Sequence, residues 1–236
     1  MHSHFSHLDE HTLFEFPPVE SSSPEGIVAA GGNLSPGMLL SAYSQGIFPW
    51  YMEGEPILWW SPEPRCVLFP GELHISRSMK KLLKNARFRL SLDTCFDEVI
   101  NACKRVSRPG QRGTWITDEM LEAYVALHRL GYAHSVEVWD GPLLAGGMYG
   151  VSLGSCFFGE SMFTLISNAS KVALIHLITL IETLGFRFLD CQVFSPHLGT
   201  MGARLIPRHE FMSLLRECLQ DDTIRGAWTT LSGAGH

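Results

Sequence analysis

The sequence lacks any apolar run long enough to cross a bilayer. Its most hydrophobic stretch, Val172 to Leu184, falls short of the roughly 20 residues a spanning helix needs and carries His176 and Glu182, so it reads as a buried helix and no membrane partner is expected. Paired cysteines are also missing. Cys66, Cys95, Cys103, Cys156, Cys191 and Cys218 are scattered without a C-x-x-C spacing, which argues against a zinc site or a disulfide framework and for a reducing, cytoplasmic compartment. There is no P-loop, and Ala30-Gly31-Gly32-Asn33 lacks the lysine that would hold a phosphate, so it reads as a turn. No histidine pairs with a Ser or Cys in a nucleophile elbow, and His134, His176 and His197 are read as structural. His2, His4, His7 and His11 sit in an N-terminal tail without the apolar core of a signal peptide. Ligands on such a tail would have nothing to orient them, so no metal is expected and residues 1–15 are read as a flexible extension. Positive charge is scarce as well. With 18 Lys and Arg against 24 Asp and Glu, the net charge of -6 argues against a surface that coats nucleic acid everywhere, and leaves room only for a local basic patch.

What is present suits an enzyme with a substantial core: 236 residues, 45% hydrophobic and 18% charged. Residues from Phe16 to about Ser61 are rich in Pro, Gly and Trp. Their clearest regular segment is a short helix at Met38 to Tyr43, with Pro36 in its first turn. Pro62 and Pro64 then punctuate the chain, dividing it into a small domain over 1–61 and a larger one over 62–236. Helical spacing runs from His74 to Ala86, from Phe96 to Val106, and from Thr117 as cap to Leu130 with Gly131 as stop. After Gly131 the pattern changes to strands at Ser135 to Trp139, Leu143 to Val151 and Ser155 to Phe163, an antiparallel meander. Ser167 and Asn168 offer caps for the apolar helix that ends at Gly185. An apolar strand, Phe186 to Val193, and a helix at His209 to Leu219 follow. Helices, a meander and then strand-helix-strand describe an α+β domain with a mixed, mostly antiparallel sheet.

Several residues carry possible chemistry. Arg77, Lys80, Lys81, Lys84, Arg87 and Arg89 lie within 13 positions, and no Asp or Glu occurs between Glu72 and Asp93, so local i,i+4 pairing cannot neutralise them. Phosphate is the missing anion for a tRNA-binding face; a solubility face paired to distant acids is the alternative. Phe48, Trp50, Tyr51, Trp59 and Trp60 cluster in the turn-rich segment, and Trp115 stands before a helix. Most belong to a core, but an exposed one could stack an unpaired base. On the strand ending Asp190-Cys191-Gln192, a period of two puts Asp190 and Gln192 on one face and Cys191 on the other. The pair is either a hydrogen-bonded strand end or a carboxylate that orients an amide beside substrate. Glu160, an acid within a greasy strand, calls for a cationic partner, the substrate included.

Taken in order, Gly31-Gly32-Asn33-Leu34-Ser35-Pro36, Gly46-Ile47-Phe48-Pro49-Trp50, Trp59-Trp60-Ser61-Pro62, His74-Ile75-Ser76-Arg77-Ser78-Met79-Lys80, Gly113-Thr114-Trp115-Ile116-Thr117, Gly146-Gly147-Met148-Tyr149-Gly150, Gly159-Glu160-Ser161-Met162-Phe163, Asn168-Ala169-Ser170-Lys171 and Asp190-Cys191-Gln192 closely resemble the bacterial leucyl/phenylalanyl-tRNA-protein transferase family. The resemblance implies a small N-terminal domain and an acetyltransferase-like (GNAT-like) C-terminal domain without acetyl-CoA or any other cofactor. It implies transfer of Leu, Phe and less readily Met from aminoacyl-tRNA to acceptor proteins with N-terminal Lys or Arg, marking them for N-degron-dependent degradation. A monomer is expected. By resemblance, Asp190 and Gln192 serve peptide-bond formation and Glu160 places the acceptor's first residue. Met148, Phe157, Met162, Leu174, Leu177 and Leu189 match the aminoacyl side-chain pocket, and Trp50 and Trp115 match tryptophans near the terminal adenosine. Arg77, Lys80, Lys81, Lys84 and Arg87 lie where the family's tRNA-binding helix lies. Two departures stand out: Ser195 replaces a frequent Asn, and Thr200-Met201-Gly202 replaces Ser-Leu-Gly. A coenzyme A-dependent acetyltransferase is the enzymatic alternative and an RNA-binding module the non-enzymatic one.

Overall fold

A computed structural model describes residues 6–106 and 115–233. Gly113 and Thr114, like His2 and His4, lie outside them. The chain begins with strand β1 (Ile27–Ala30), helix α1 (Pro36–Ser44) and strands β2 (Phe48–Pro49) and β3 (Leu58–Trp60), the strands forming a small antiparallel sheet in the order β1-β3-β2. Pro36 opens α1, where its fixed φ suits the helix and its missing N–H costs nothing. The segment 6–16 runs against α1. Gly37 N donates to the Leu8 carbonyl at 3.1 Å and Phe14 N to Ser41 Oγ at 2.8 Å, while Phe16 is buried against Trp59. Gly37 permits this approach, since a Cβ there would lie 2.2 Å from the Asp9 carbonyl oxygen.

The larger part contains β4 (Arg65–Leu68), α2 (Arg77–Lys84), β5 (Arg89–Leu92), α3 (Phe96–Arg105), α4 (Asp118–Arg129), β6 (Ala133–Asp140), β7 (Leu143–Leu153), β8 (Cys156–Thr164), α5 (Ala169–Thr183), β9 (Phe188–Gln192), α6 (Pro196–Gly199), β10 (Arg204–Ile206) and α7 (Arg208–Cys218). Its seven strands form one sheet in the order β10-β4-β9-β8-β7-β6-β5, antiparallel throughout except for β8 and β9. The mixed α+β architecture and the meander β6-β7-β8 are those expected from the strand and helix periods. The expected helix ends lie within a few residues of those observed: α2 starts at Arg77 instead of His74, where Ser76 Oγ accepts from Met79 N, and Thr117 Oγ1 caps α4 as expected by accepting from Met120 N. Asn168 does precede α5, but in the left-handed conformation and without a side-chain cap bond. Strands β4, β5 and β10 and the small sheet were not anticipated. Among the described residues no helix is long and apolar enough to cross a membrane.

The sheet separates two apolar clusters. Phe158 and Phe163 of β8 face α3, α4, α7 and the N-terminal part, whereas Phe157 and Met162 share an apolar cluster with α5, which packs on the sheet's other face and leaves Thr179, Glu182 and Thr183 exposed. Burying each such phenylalanine stabilises the fold by about 1.5 to 3 kcal/mol, and the two faces together hold the sheet rigid enough to carry a site.

Candidate active site

Strands β8 and β9 pair in parallel only at their beginnings: Cys156 with Phe188, Phe157 with Leu189 and Phe158 with Asp190. Beyond that point each strand carries an irregularity. Gly150 and Tyr149 of β7 pair with Gly159 and Ser161, leaving Glu160 as the extra residue of a bulge; Cys66 and Val67 of β4 pair with Gln192 and Asp190, leaving Cys191 as another. Bulges re-aim side chains next to functional sites. Gln192 completes the departure with φ of 61°, a backbone conformation that costs a non-glycine residue energy.

The mouth between the two strands is a cavity of about 460 Å3, within the range of small-ligand pockets. Met148, Met162 and Leu189, all expected in an aminoacyl pocket, border it, and so do Trp50 and Trp115. Phe157, Leu174 and Leu177 do not. They are fully buried in the apolar cluster beneath α5, so the structure leaves them out of the wall. The apolar wall is completed by Phe48, from the aromatic cluster noted in the sequence, and by residues not singled out there, among them Val193, Phe194 and Leu198. Val193 and Phe194 are exposed at its rim.

The polar end of the cavity is Glu160 and Gln192. Glu160 Oε1 accepts from Tyr43 Oη and from Gln192 Nε2, each at 2.8 Å, and Oε2 accepts from Tyr124 Oη at 2.8 Å. These donors are neutral, where a cationic partner was expected within the chain or from substrate. Burial pushes the Glu160 carboxyl up to about 7, against the pull of its three hydrogen bonds. The Tyr43 and Tyr124 phenols are held well above their ordinary value, first by burial and then by the Glu160 charge, and therefore stay donors.

Asp190 does not border the cavity. It is completely buried, with Arg65 Nε on Oδ1 at 2.9 Å and Arg65 Nη2 on Oδ2 at 2.7 Å, and Oδ1 also accepts Gln192 N at 2.9 Å. Arg65 lies between the rings of Phe48 and Phe211, 4.8 and 4.5 Å from their centres. Strict alternation therefore fails across the Cys191 bulge: Gln192 reaches the cavity, while Asp190 anchors its backbone from behind. What Asp190 can do chemically is hold Gln192; Glu160 and Gln192 are the groups that a ligand can meet.

Ser195, the position where the family often has Asn, borders the cavity and caps α6 by accepting Leu198 N at 3.3 Å. His197, read as structural, is also in the wall, and burial followed by the Lys171 charge lowers its pKa, so a neutral imidazole faces the cavity. The basic helix enters nearby: His74 N donates to the Met201 carbonyl at 2.9 Å, just beyond α6, and Leu73 and Ile75 share an apolar cluster with Leu198. On α2, Met79 is buried, whereas Arg77, Lys80, Lys81 and Lys84 are exposed, and among the described residues no carboxylate forms an ion pair with them. Arg87 differs. It pairs with Asp140 at 2.6 Å, and Arg89 stacks on Trp139, so the cationic run is partly neutralised by residues distant in sequence. Among the described residues no group of three or more His, Cys, Asp or Glu could hold a metal ion.

Two sequence profiles match the chain: "Leucyl/phenylalanyl-tRNA protein transferase N-terminal domain" over residues 32–63 and "Leucyl/phenylalanyl-tRNA protein transferase" over residues 67–216. Among curated relatives of that name, the one from Syntrophus aciditrophicus is 59% identical over 215 residues, covering 91% of this chain and 90% of its own. Those from Anaeromyxobacter sp. strain K and Legionella pneumophila strain Corby are 52% and 51% identical, covering 93% and 92% of this chain and 94% and 96% of theirs.

Proposed function

The chain belongs to the leucyl/phenylalanyl-tRNA-protein transferase family, and from that premise we propose that its cavity transfers Leu, Phe and less readily Met from aminoacyl-tRNA to the N-terminal Lys or Arg of an acceptor protein, marking the acceptor for degradation. As a member of that family it is an aminoacyltransferase. The observation that carries the finer reading is the juxtaposition, in one cavity, of an apolar wall of Met148, Met162 and Leu189 with a buried acid, Glu160. Methionines adapt to both aliphatic and aromatic side chains, which suits a donor that is either Leu or Phe. An acid at the far end suits a cationic acceptor residue. Trp50 and Trp115 on the wall suit a terminal base held by stacking, and the unpaired cations Arg77, Lys80, Lys81 and Lys84 suit the phosphates of the tRNA.

The chemistry asked of these residues is modest. The aminoacyl ester of tRNA is already activated, so transfer needs an uncharged amine held against the carbonyl, and proximity supplies most of the rate. An α-amino group with a pKa of about 7.7 to 8.0 has a usable neutral fraction at neutral pH. The amine attacks the ester carbon, the bond to the tRNA oxygen breaks, and the amine's proton leaves to the departing hydroxyl or to solvent. Gln192, fixed by Glu160 through its side chain and by Asp190 through its backbone, is the orienting group in this reading. Asp190 acts as its positioning partner, and Arg65 positions Asp190.

The acetyltransferase-like class of the larger part belongs to the same proposal, supported by the parallel pair β8–β9, whose ladder ends at Phe158 and Asp190. The segment Leu165-Ile166-Ser167-Asn168, which leads into α5, contains no glycine, which supports a tRNA end over coenzyme A. The test is label transfer onto a protein that begins with Arg. Radiolabelled leucine from leucyl-tRNA is expected on the acceptor; label from acetyl-CoA instead would establish the acetyltransferase alternative, and tRNA binding with neither transfer the RNA-binding one.

A further inference from the structure

Cys66 and Cys191 occupy adjacent antiparallel strands, β4 and β9, at the point where their register slips. The bulge turns Cys191 toward the apolar cluster that holds Cys66, where each thiol influences the other's titration, and Cys191 Sγ donates to the Leu189 carbonyl at 3.9 Å. Cys66 is completely buried, whereas Cys191 is half-buried and forms part of the cavity wall. Cys191 also lies between Asp190 and Gln192, the two residues that hold the wall in place. Of the remaining cysteines, Cys103, Cys156 and Cys218 are buried and border no part of this cavity, and burial raises the Cys95 thiol to about 12.

We propose that Cys66 and Cys191 are a modification site: a dithiol that hydroperoxides convert into a cross-strand disulfide, switching off the cavity described above. This use of the site rests on the proposed transfer reaction; the disulfide itself does not. Reaction with a hydroperoxide converts one sulfur to a sulfenic acid and the peroxide to water or an alcohol. The second sulfur displaces the sulfenic oxygen, which leaves as water with the thiol's proton, and an S–S bond forms. Two electrons pass from the two thiols to one peroxide. The two residues meet on neighbouring antiparallel strands, where Cα separations suit the S–S bond of about 2.05 Å that a cross-strand disulfide needs. The thiol pair is prepared for this: donation from Cys191, aided by the Arg65 charge, holds the Cys66 thiol below its usual value, while the same bond pushes Cys191 up. The bond would pull the Cys191 bulge toward β4. Gln192 faces Cys66 across the same ladder and is strained already, so its grip on Glu160 would be lost.

The experiment treats the full chain with hydrogen peroxide, blocks free thiols with N-ethylmaleimide, digests it and maps the peptides by mass spectrometry, with leucine transfer measured in parallel. A Cys66–Cys191 linked peptide pair is expected, with transfer reduced about tenfold or more, as displacement of a positioning group produces, and restored by dithiothreitol. Cys66→Ala should keep the activity of the untreated protein and form no such pair; its Cys191 sulfenic acid, with no neighbouring thiol to condense with, should instead be trapped by dimedone as a Cys191 adduct that the wild type does not give. Absence of the linked pair in the oxidised wild type overturns the proposal, as does a linked pair that leaves transfer unchanged, or a wild type that gives the dimedone adduct at Cys191 as readily as Cys66→Ala does. If the untreated protein transfers no leucine, the proposed reaction fails, and the peptide map still decides whether the disulfide forms.

Discussion

Glu160 on β8 and Asp190 on β9 are both buried carboxylates, and the sheet handles them in opposite ways. Asp190 is met by a guanidinium on two of its lone-pair directions and by a backbone N–H, out of contact with the cavity. Glu160 is met only by neutral donors, faces the cavity, and titrates at about 7. A charge neutralised inside the protein is structural capital, whereas one left without a cation invites a cationic ligand. Only Glu160 is therefore placed where a ligand could meet it, while Asp190 holds the frame on which Glu160 and Gln192 are presented.

The largest expected effect is that of Asp190→Ala. Removing one partner leaves Arg65 charged and buried, which costs about 3 to 5 kcal/mol. Chemical denaturation should show that loss, and the folded fraction should transfer leucine far more slowly with tRNA affinity unchanged. Replacing the pair together, Arg65→Met with Asp190→Leu, should recover most of the stability and none of the transfer rate. A stable Asp190→Ala protein with full rate would remove Asp190 from the account.

Glu160→Gln sharpens the other half. The folded pKa of Glu160 lies above the unfolded value of 4.5, so its contribution to stability is complete below pH 4.5 and is lost as pH rises through about 7. At pH 8 the wild type therefore carries a penalty on the order of 3 kcal/mol that the neutral variant lacks. Thermal melts should show Glu160→Gln gaining on the wild type between pH 5 and pH 8, and a constant difference would contradict the assignment. Smaller effects separate the exposed cations. Lys80→Ala or Lys84→Ala should lower the salt dependence of tRNA binding by about one phosphate contact each. Arg87→Ala should change it less, because Asp140 already neutralises Arg87.

The same contrast explains what could be read from sequence. The meander and the helices α2, α3, α4, α5 and α7 are long enough for their periods of 2 and 3.6 to show. Strands β4, β5 and β10 have three or four residues each, too few for a period, and β2 has two. Glu160 announced itself as an acid among apolar residues, and the Asp-x-Gln strand end was recognisable. Arg65 was not, since its partner is 125 positions away and nothing local marks a pair that only the β4–β9 register creates. Tyr43 and Tyr124, from α1 and α4, were hidden for the same reason. The period of two misled at Cys191, where a bulge changes the count; Phe157, Leu174 and Leu177 were placed in the pocket by resemblance alone, and nothing in their apolar segments marks which residues a cavity reaches. The Arg87–Asp140 pair joins residues 53 positions apart, beyond any i,i+4 reading of the basic run.

In the proposed reaction Glu160 is the group that meets the acceptor's cationic side chain. Transfer of leucine to two peptides that differ only in an N-terminal arginine or its neutral isostere citrulline, compared for the wild type and Glu160→Gln at pH 8, measures this without relying on stability. A strong preference of the wild type for arginine that falls to near parity in the variant is the predicted result; an arginine preference that survives the substitution unchanged would contradict it.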